Sequence, residues 1–161
     1  MTNVSERRGQ SVSIQPVSAG PARRGIIATL GGVVAAIAVA VALDSAVAAI
    51  AHAAGVSHLF SPLQFANYTT LTVIGIAAGA AGWAVVRALA ADPRRRLRVL
   101  APGIVAFSFV PDLIVGVSRR MTGTSWGGVA ALMVMHILVA VVAIVAFARV
   151  LPIPSNKERL S

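Results

Sequence analysis

Four long apolar stretches constrain this chain more than any other feature of its sequence. They cover about residues 26–50, 68–90, 99–117 and 126–150, and short polar or arginine-bearing segments separate them. A helix of about 20 apolar residues crosses the roughly 30 Å hydrocarbon core of a bilayer, because each residue rises 1.5 Å. The sequence therefore predicts an all-α integral membrane protein, a four-helix bundle within residues 25–151.

The two ends of the chain differ from the apolar stretches in composition. Residues 1–24 are polar and show no helical or strand period, so we predict a disordered cytoplasmic tail. Residues 152–161 form a second short polar tail. A cleaved signal peptide is the competing interpretation of the first apolar stretch. That stretch is longer than the roughly 7–15 residues of a signal-peptide core, which favours a spanning helix.

Basic residues fall almost entirely on one side of the predicted bundle. The twelve on the side of the termini are Arg7, Arg8, Arg23, Arg24, Arg87, Arg94, Arg95, Arg96, Arg98, Arg149, Lys157 and Arg159, and the other side has Arg119 and Arg120. Cytoplasmic loops carry an excess of Lys and Arg. We therefore predict a multi-pass protein of the cell membrane with both termini in the cytoplasm.

The same placement decides which partners the net charge of +9 favours. The basic residues lie at membrane edges and are not interleaved with aromatic residues, so the pattern excludes nucleic acid. It favours a bilayer with anionic head groups. A membrane-protein partner and a homo-oligomer of the chain stay open as further partners.

Few ionisable residues fall within the apolar stretches. Asp112 lies 13 residues after Val99, and His136 lies 13 residues before Arg149, which places both about 20 Å from the arginine-bearing edge. The third and fourth helices follow one another through a short turn and should be antiparallel neighbours. Ser108 is four residues before Asp112 and shares its helix face. These three residues are therefore a candidate polar site inside the bundle.

Two interpretations of this site stay open. It is either a structural pair that pins two helices together, or a functional site such as a proton relay, an ion site or a ligand pocket, since ionisable residues inside a membrane are rare and expensive. Asp44 joins the candidates. Because it lies 18 residues after Ile26, or about 27 Å along the helix, we interpret it as a residue near the outer interface.

Other features predict local structure. Gly75, Gly79 and Gly82 fall on the second stretch, and glycines four residues apart let a neighbouring helix approach closely. Residues 56–67 read as a loop or interfacial segment, in which aromatic side chains lie at head-group level. These aromatic residues are Phe60, Phe65 and the adjoining Tyr68. Residues 91–98 read as a basic turn.

Catalytic and cofactor motifs are missing from the sequence. Cysteine is absent, and there is no H-E-x-x-H, G-x-S-x-G or phosphate-binding loop. A single intramembrane histidine does not supply both axial ligands of a haem. We predict no cofactor and no metal, and an enzyme is the least supported class.

The chain resembles a family of small four-pass membrane proteins of high-GC bacteria, classed as a domain of unknown function. The resemblance covers residues 23–152 and rests on the SPL loop, the segments GIAAGAAGWAVVRAL and RRRLRVLAPGIVAFSFVPDL, and ALMVMHILVAVVAI. It implies an integral protein of the bacterial inner membrane and supplies no activity. Members of that family often carry Asn near the position of Asp44, which implies that its charge is not essential.

Two functions follow as hypotheses. The first is a structural or accessory membrane protein that packs against a partner or against itself, and the sequence favours it because the second and fourth helices show little continuous polar face. The alternative is a small proton-linked transporter or channel that uses Asp112 and His136.

The charge asymmetry makes a prediction about topology. We expect an alkaline phosphatase fused at Ser61 to be active and a fluorescent protein fused at Ser161 to fluoresce, because phosphatase matures outside the cytoplasm and the fluorescent protein inside it. Enzyme activity and whole-cell fluorescence measure the two results. A fluorescent fusion at Ser61 would overturn the predicted orientation.

Overall fold

A computed structural model of the chain describes residues 21–151. It contains four helices, α1 (Pro21–Ala53), α2 (Phe65–Leu89), α3 (Pro93–Ser118) and α4 (Trp126–Val150), and a short 3-10 helix at Ser61–Leu63. No strand occurs within residues 21–151. The predicted all-α fold is therefore confirmed. The predicted tails lie outside the described residues, except for residues 21–24, which form the first turn of α1.

All four helices are long and apolar enough to cross a membrane. Their outer surfaces carry large apolar side chains that are exposed, for example Ile26, Leu30, Phe107 and Val117. In water such a surface would be unfavourable, whereas lipid chains solvate it. The chain is a multi-pass membrane protein.

Helix α3 begins earlier than the sequence predicted. Residues 93–98, interpreted as a basic turn, form its first turns because Asp92 caps the helix: its Oδ1 accepts a hydrogen bond from the Arg95 backbone N–H at 3.1 Å. Pro93 follows at the first helical position, where a missing N–H is tolerated. Pro102 and Pro111 lie inside the helix.

The helices pack in the order α2, α1, α4, α3. Helix α1 packs most extensively on α4 and also on α2, while α3 packs chiefly on α4. Helices α2 and α3 make few contacts, although the turn at residues 90–92 joins them. The bundle is consequently closed on the side of α1 and opens between α2 and α3.

The buried face of α1 consists of small side chains. Ala36, Ala40, Asp44, Ala48 and Ala51 recur every three or four residues and are all buried. Small side chains let helices approach closely inside a membrane. The one polar residue in this row is Asp44, so the packing of α1 places a carboxyl group between the helices.

The connection from α1 to α2 folds into the end of the bundle. Phe60 is 0% exposed and packs in a cluster with Leu63, Tyr68 and residues of α1 and α4. Phe60 and Tyr68, which were predicted at head-group level together with Phe65, are both buried against the protein, so their side chains do not face lipid. Phe65 alone of the three stays 64% exposed.

Gly128 of α4 makes room for Phe60. A Cβ at Gly128 would lie 2.8 Å from the Phe60 ring. We expect Gly128→Ala to lower the free energy of unfolding by about 1–3 kcal/mol, because the added methyl group would force the fully buried Phe60 ring to shift. Thermal unfolding in detergent, followed by circular dichroism, measures the change.

Gly103→Ala in α3 is the matched control, since a Cβ there meets no atom within 4 Å. This substitution should raise the free energy of unfolding by at most about 1 kcal/mol, because Ala has a higher helix propensity than Gly. Equal effects of the two substitutions would show that Phe60 does not pack on Gly128.

Candidate functional site

Asp44 is the most buried ionisable group of the described residues, with 1% of its surface exposed. Its Oδ2 accepts a hydrogen bond from the Thr72 hydroxyl of α2 at 2.6 Å. Its Oδ1 is buried and has no hydrogen-bond partner among the described residues. One half of the carboxyl group is thus satisfied, and the other half is free to take a proton or a donor.

The placement of Asp44 differs from the interfacial position expected from the sequence. Asp44 faces Thr72 and interacts electrostatically with His136 of α4, so it lies at the level of the other candidate residues. The sequence count took Ile26 as the membrane edge. Helix α1 is 33 residues long, about 50 Å, so that it exceeds the hydrocarbon core and its end does not define a depth.

Asp112 and His136 lie side by side on α3 and α4. Asp112 is 8% exposed, and its Oδ2 is 3.1 Å from Nδ1 of His136. The same Nδ1 also lies 2.9 Å from the backbone carbonyl of Leu132, one turn earlier in α4. The Leu132 contact has hydrogen-bond geometry, whereas the Asp112 contact is an ion-pair distance with poorer alignment.

The neighbours of Nδ1 define the form of the His136 ring. Both atoms near Nδ1 are oxygen acceptors, so Nδ1 carries a proton. The second nitrogen, Nε2, has no hydrogen-bond partner among the described residues and is the position where the ring gains or loses a proton. Protonation at Nε2 gives an imidazolium that neutralises the adjacent carboxylate.

Three helices therefore bring ionisable groups together. His136 interacts electrostatically with both Asp112 and Asp44, and α2 contributes the neutral hydroxyl of Thr72. Phe109 closes one edge of the histidine ring, with the ring centres 6.2 Å apart. We call Asp44, Thr72, Asp112 and His136 the polar cluster.

Ser108 is near the polar cluster but does not bond to it. Its hydroxyl donates to the Val105 carbonyl of its own helix at 2.7 Å. The three candidate packing glycines also separate: a Cβ at Gly79 would lie 3.3 Å from Phe147, whereas one at Gly75 or Gly82 would meet no atom within 4 Å. The close approach predicted from their spacing occurs at Gly79 alone.

Gly75 and Gly82 instead line a groove. A cavity of about 710 Å³ extends between α2 and α3, with α4 as its floor. Its walls are apolar side chains of these three helices, such as Leu100, Ile104 and Val139. The polar residues of its lining, which are Asp44, Tyr68, Thr72, Ser108 and His136, lie toward one end. We call this space the α2–α3 groove.

The polar end of the groove has further hydroxyl groups. The Tyr68 hydroxyl is 3.0 Å from Oγ of Ser45, and Ser45 donates to the Val41 carbonyl at 2.7 Å. Sequence reasoning missed Thr72, Tyr68 and Ser45. Only the tyrosine and the three threonines among residues 68–72 marked this end of α2, and such residues also occur on surfaces.

Within residues 21–151 no group of three or more His, Cys, Asp or Glu side chains is arranged to hold a metal ion. The arrangement of the polar cluster can instead exchange protons and can donate or accept hydrogen bonds at the end of an apolar groove.

Fold and site together define a four-helix membrane protein with a polar cluster buried among its helices. The chain belongs to the family of unknown function DUF6069, whose sequence model matches residues 19–152. The predicted membership of a four-pass membrane family without assigned activity is confirmed. No curated protein and no solved structure is significantly similar to the chain.

The contact between Asp112 and His136 predicts coupled effects on stability. We expect Asp112→Asn and His136→Gln to lower the free energy of unfolding separately, and the double substitution to lower it by less than the sum. The difference should be about 0.5–3 kcal/mol, as for residues in direct contact. Chemical unfolding in detergent micelles measures the four proteins of the cycle.

Asp112→Asn combined with His58→Gln is the control cycle, since His58 is exposed in the connection between α1 and α2. Its effects should add within about 0.5 kcal/mol. Additivity in both cycles would show that Asp112 and His136 do not interact.

Proposed function

We propose that this protein binds an amphiphilic molecule of the bilayer in the α2–α3 groove, and that binding is linked to protonation of the polar cluster. The observation that carries the proposal is the position of His136, which belongs to the cluster and also lines the groove. A molecule in the groove therefore contacts the group whose charge changes.

The size and lining of the groove support binding. Sites for small molecules are concave, largely apolar and about 300–1,000 Å³ in volume, with a few polar groups. The groove has about 710 Å³ and concentrates its polar groups at one end. It opens between two helices that face lipid, so that a molecule of the bilayer reaches it without crossing water.

The charges around His136 set the direction of the linkage. Asp112 on α3 and Asp44 on α1 face it, while α2 adds the neutral hydroxyls of Thr72 and Tyr68. Protonation of His136 neutralises the charge of Asp112. An apolar chain that covers the pair excludes solvent and disfavours net charge, so it binds more tightly to the protonated form. Affinity therefore increases as the pH falls.

This proposal keeps one part of the transporter hypothesis, the proton-linked site at Asp112 and His136. It does not include transport of the bound molecule across the membrane. The accessory role, in which the bundle packs against a partner or a second copy of the chain, remains the other hypothesis. We further propose that the protein resides in the cell membrane with both termini in the cytoplasm, which the distribution of basic residues supports.

The proposal is tested with the intrinsic fluorescence of Trp83, which lines the groove. Trp126→Phe removes the second of the two tryptophans. In vesicles of phosphatidylcholine with brominated acyl chains, we expect Trp83 to be quenched more strongly at low pH than at high pH. His136→Gln should abolish this dependence, since the groove then has no histidine to protonate.

His58→Gln is the matched control and should keep the pH dependence, because this histidine does not line the groove. Gly82→Leu should reduce quenching at every pH, since its side chain would extend into the groove. Quenching that is independent of pH in the parent protein, or equally dependent in His136→Gln, would contradict the proposal.

A further inference from the structure

The groove continues beyond the apolar section toward the arginine-bearing end of the bundle. A second cavity, of about 580 Å³, lies there between α2, α3 and α4. It shares Trp83, Leu97, Ala101 and Ile144 with the larger cavity, so that the two spaces adjoin one another. We call the two adjoining cavities the slot, and together they reach from the polar cluster to the arginine-bearing end of the bundle.

Two arginines line the outer end of this slot. Arg94 and Arg98 are four residues apart on α3, which places them on one helix face. Both are exposed and have no acidic partner among the described residues. Asp92, the nearest acidic residue in sequence, is engaged as the cap of α3 through the Arg95 N–H. The two guanidinium groups are thus free to bind an anion.

The length of the slot matches one leaflet of a bilayer. Ten residues separate Arg98 from Ser108, which lines the inner end. In a helix this is about 15 Å, half of the roughly 30 Å hydrocarbon core. A molecule with its charged group at Arg98 therefore has room for an acyl chain that ends near His136.

We propose that this slot binds an anionic phospholipid, with its phosphate at Arg94 and Arg98 and an acyl chain in the α2–α3 groove. The inference rests on the proposed function and names the class of molecule bound. Basic pockets between membrane helices bind anionic head groups, and guanidinium groups bind phosphate through paired N–H donors. A free phosphate ion would leave the apolar part of the slot unfilled.

The bound chain also gives the linkage its physical basis. Its end covers His136, whose imidazole side chain is 38% exposed. Covering this ring excludes solvent from the Asp112–His136 pair, which favours the neutral combination of carboxylate and imidazolium. Head-group recognition and proton binding thus occupy opposite ends of one site.

The experiment compares brominated phosphatidylglycerol with brominated phosphatidylcholine as quenchers of Trp83 in the Trp126→Phe protein. Both are measured in vesicles of unbrominated phosphatidylcholine. We expect phosphatidylglycerol to associate about fivefold more tightly for each arginine, which corresponds to about 1 kcal/mol per basic residue. Arg94→Gln/Arg98→Gln should remove this preference, and Arg94→Lys/Arg98→Lys should keep part of it.

Arg95→Gln/Arg96→Gln is the matched control. It removes the same charge from the same turns of α3, at exposed positions outside the slot, and should leave the preference intact. Loss of the preference in both double variants would overturn the proposal, because general attraction to the basic end would then explain it. Equal quenching by the two lipids in the parent protein would overturn it as well.

The outcomes also separate this inference from the proposed function. If both lipids quench Trp83 equally and Gly82→Leu weakens both, the groove binds lipid chains but does not recognise an anionic head group. If neither lipid quenches Trp83, the proposed function fails together with the inference.

Discussion

A carboxyl group surrounded by apolar helices has to find a donor, a counter-charge or a proton, and the arrangement of this bundle depends on that requirement. The other buried residues of α1 are all alanine, so α1 can pack closely on its neighbours only if Asp44 is satisfied where they meet. Thr72 supplies the donor from α2, and His136 supplies a nearby titratable group from α4. Helix α3 then adds Asp112 on the other side of that histidine.

The same arrangement explains why the bundle stays open on one side. Helix α3 is held through α4, by the Asp112–His136 contact and by close packing at Gly116, where a Cβ would lie 3.0 Å from Trp126 and Val129. Helices α2 and α3 make few contacts with each other, and a Cβ at Gly75 or Gly82 of α2 would meet no atom within 4 Å. The space left between these two helices is the α2–α3 groove. Helix α4 forms the floor of the groove. His136 of α4 therefore both contacts Asp112 of α3 and lines the groove.

The sequence predicted the number and type of elements because a spanning helix has an unmistakable length and composition. It also brought Asp112 and His136 to one depth, since each was counted from the arginine-bearing end of its helix, Asp112 from Val99 and His136 from Arg149. The same count failed for Asp44, because α1 is longer than the bilayer is thick. The groove was beyond sequence reasoning: the spacing of Gly75, Gly79 and Gly82 is the same whether a helix or a space faces them. Whether a helix or a space faces these glycines depends on the angle at which α2 and α3 diverge from the turn that joins them, and the spacing of the glycines does not contain that angle.

The most direct test of the central claim is whether a lipid chain reaches the polar cluster. In solid-state NMR of the protein in bilayers, with isotope-labelled histidine, magnetisation transfer from acyl-chain protons reports contact with each imidazole ring. His52→Gln and His58→Gln assign the signals of the other two histidines. We expect transfer from acyl chains to the His136 ring, and its loss when Gly75→Leu and Gly82→Leu fill the groove. Transfer to His136 from water protons alone, with no signal from the acyl chains, would contradict the claim.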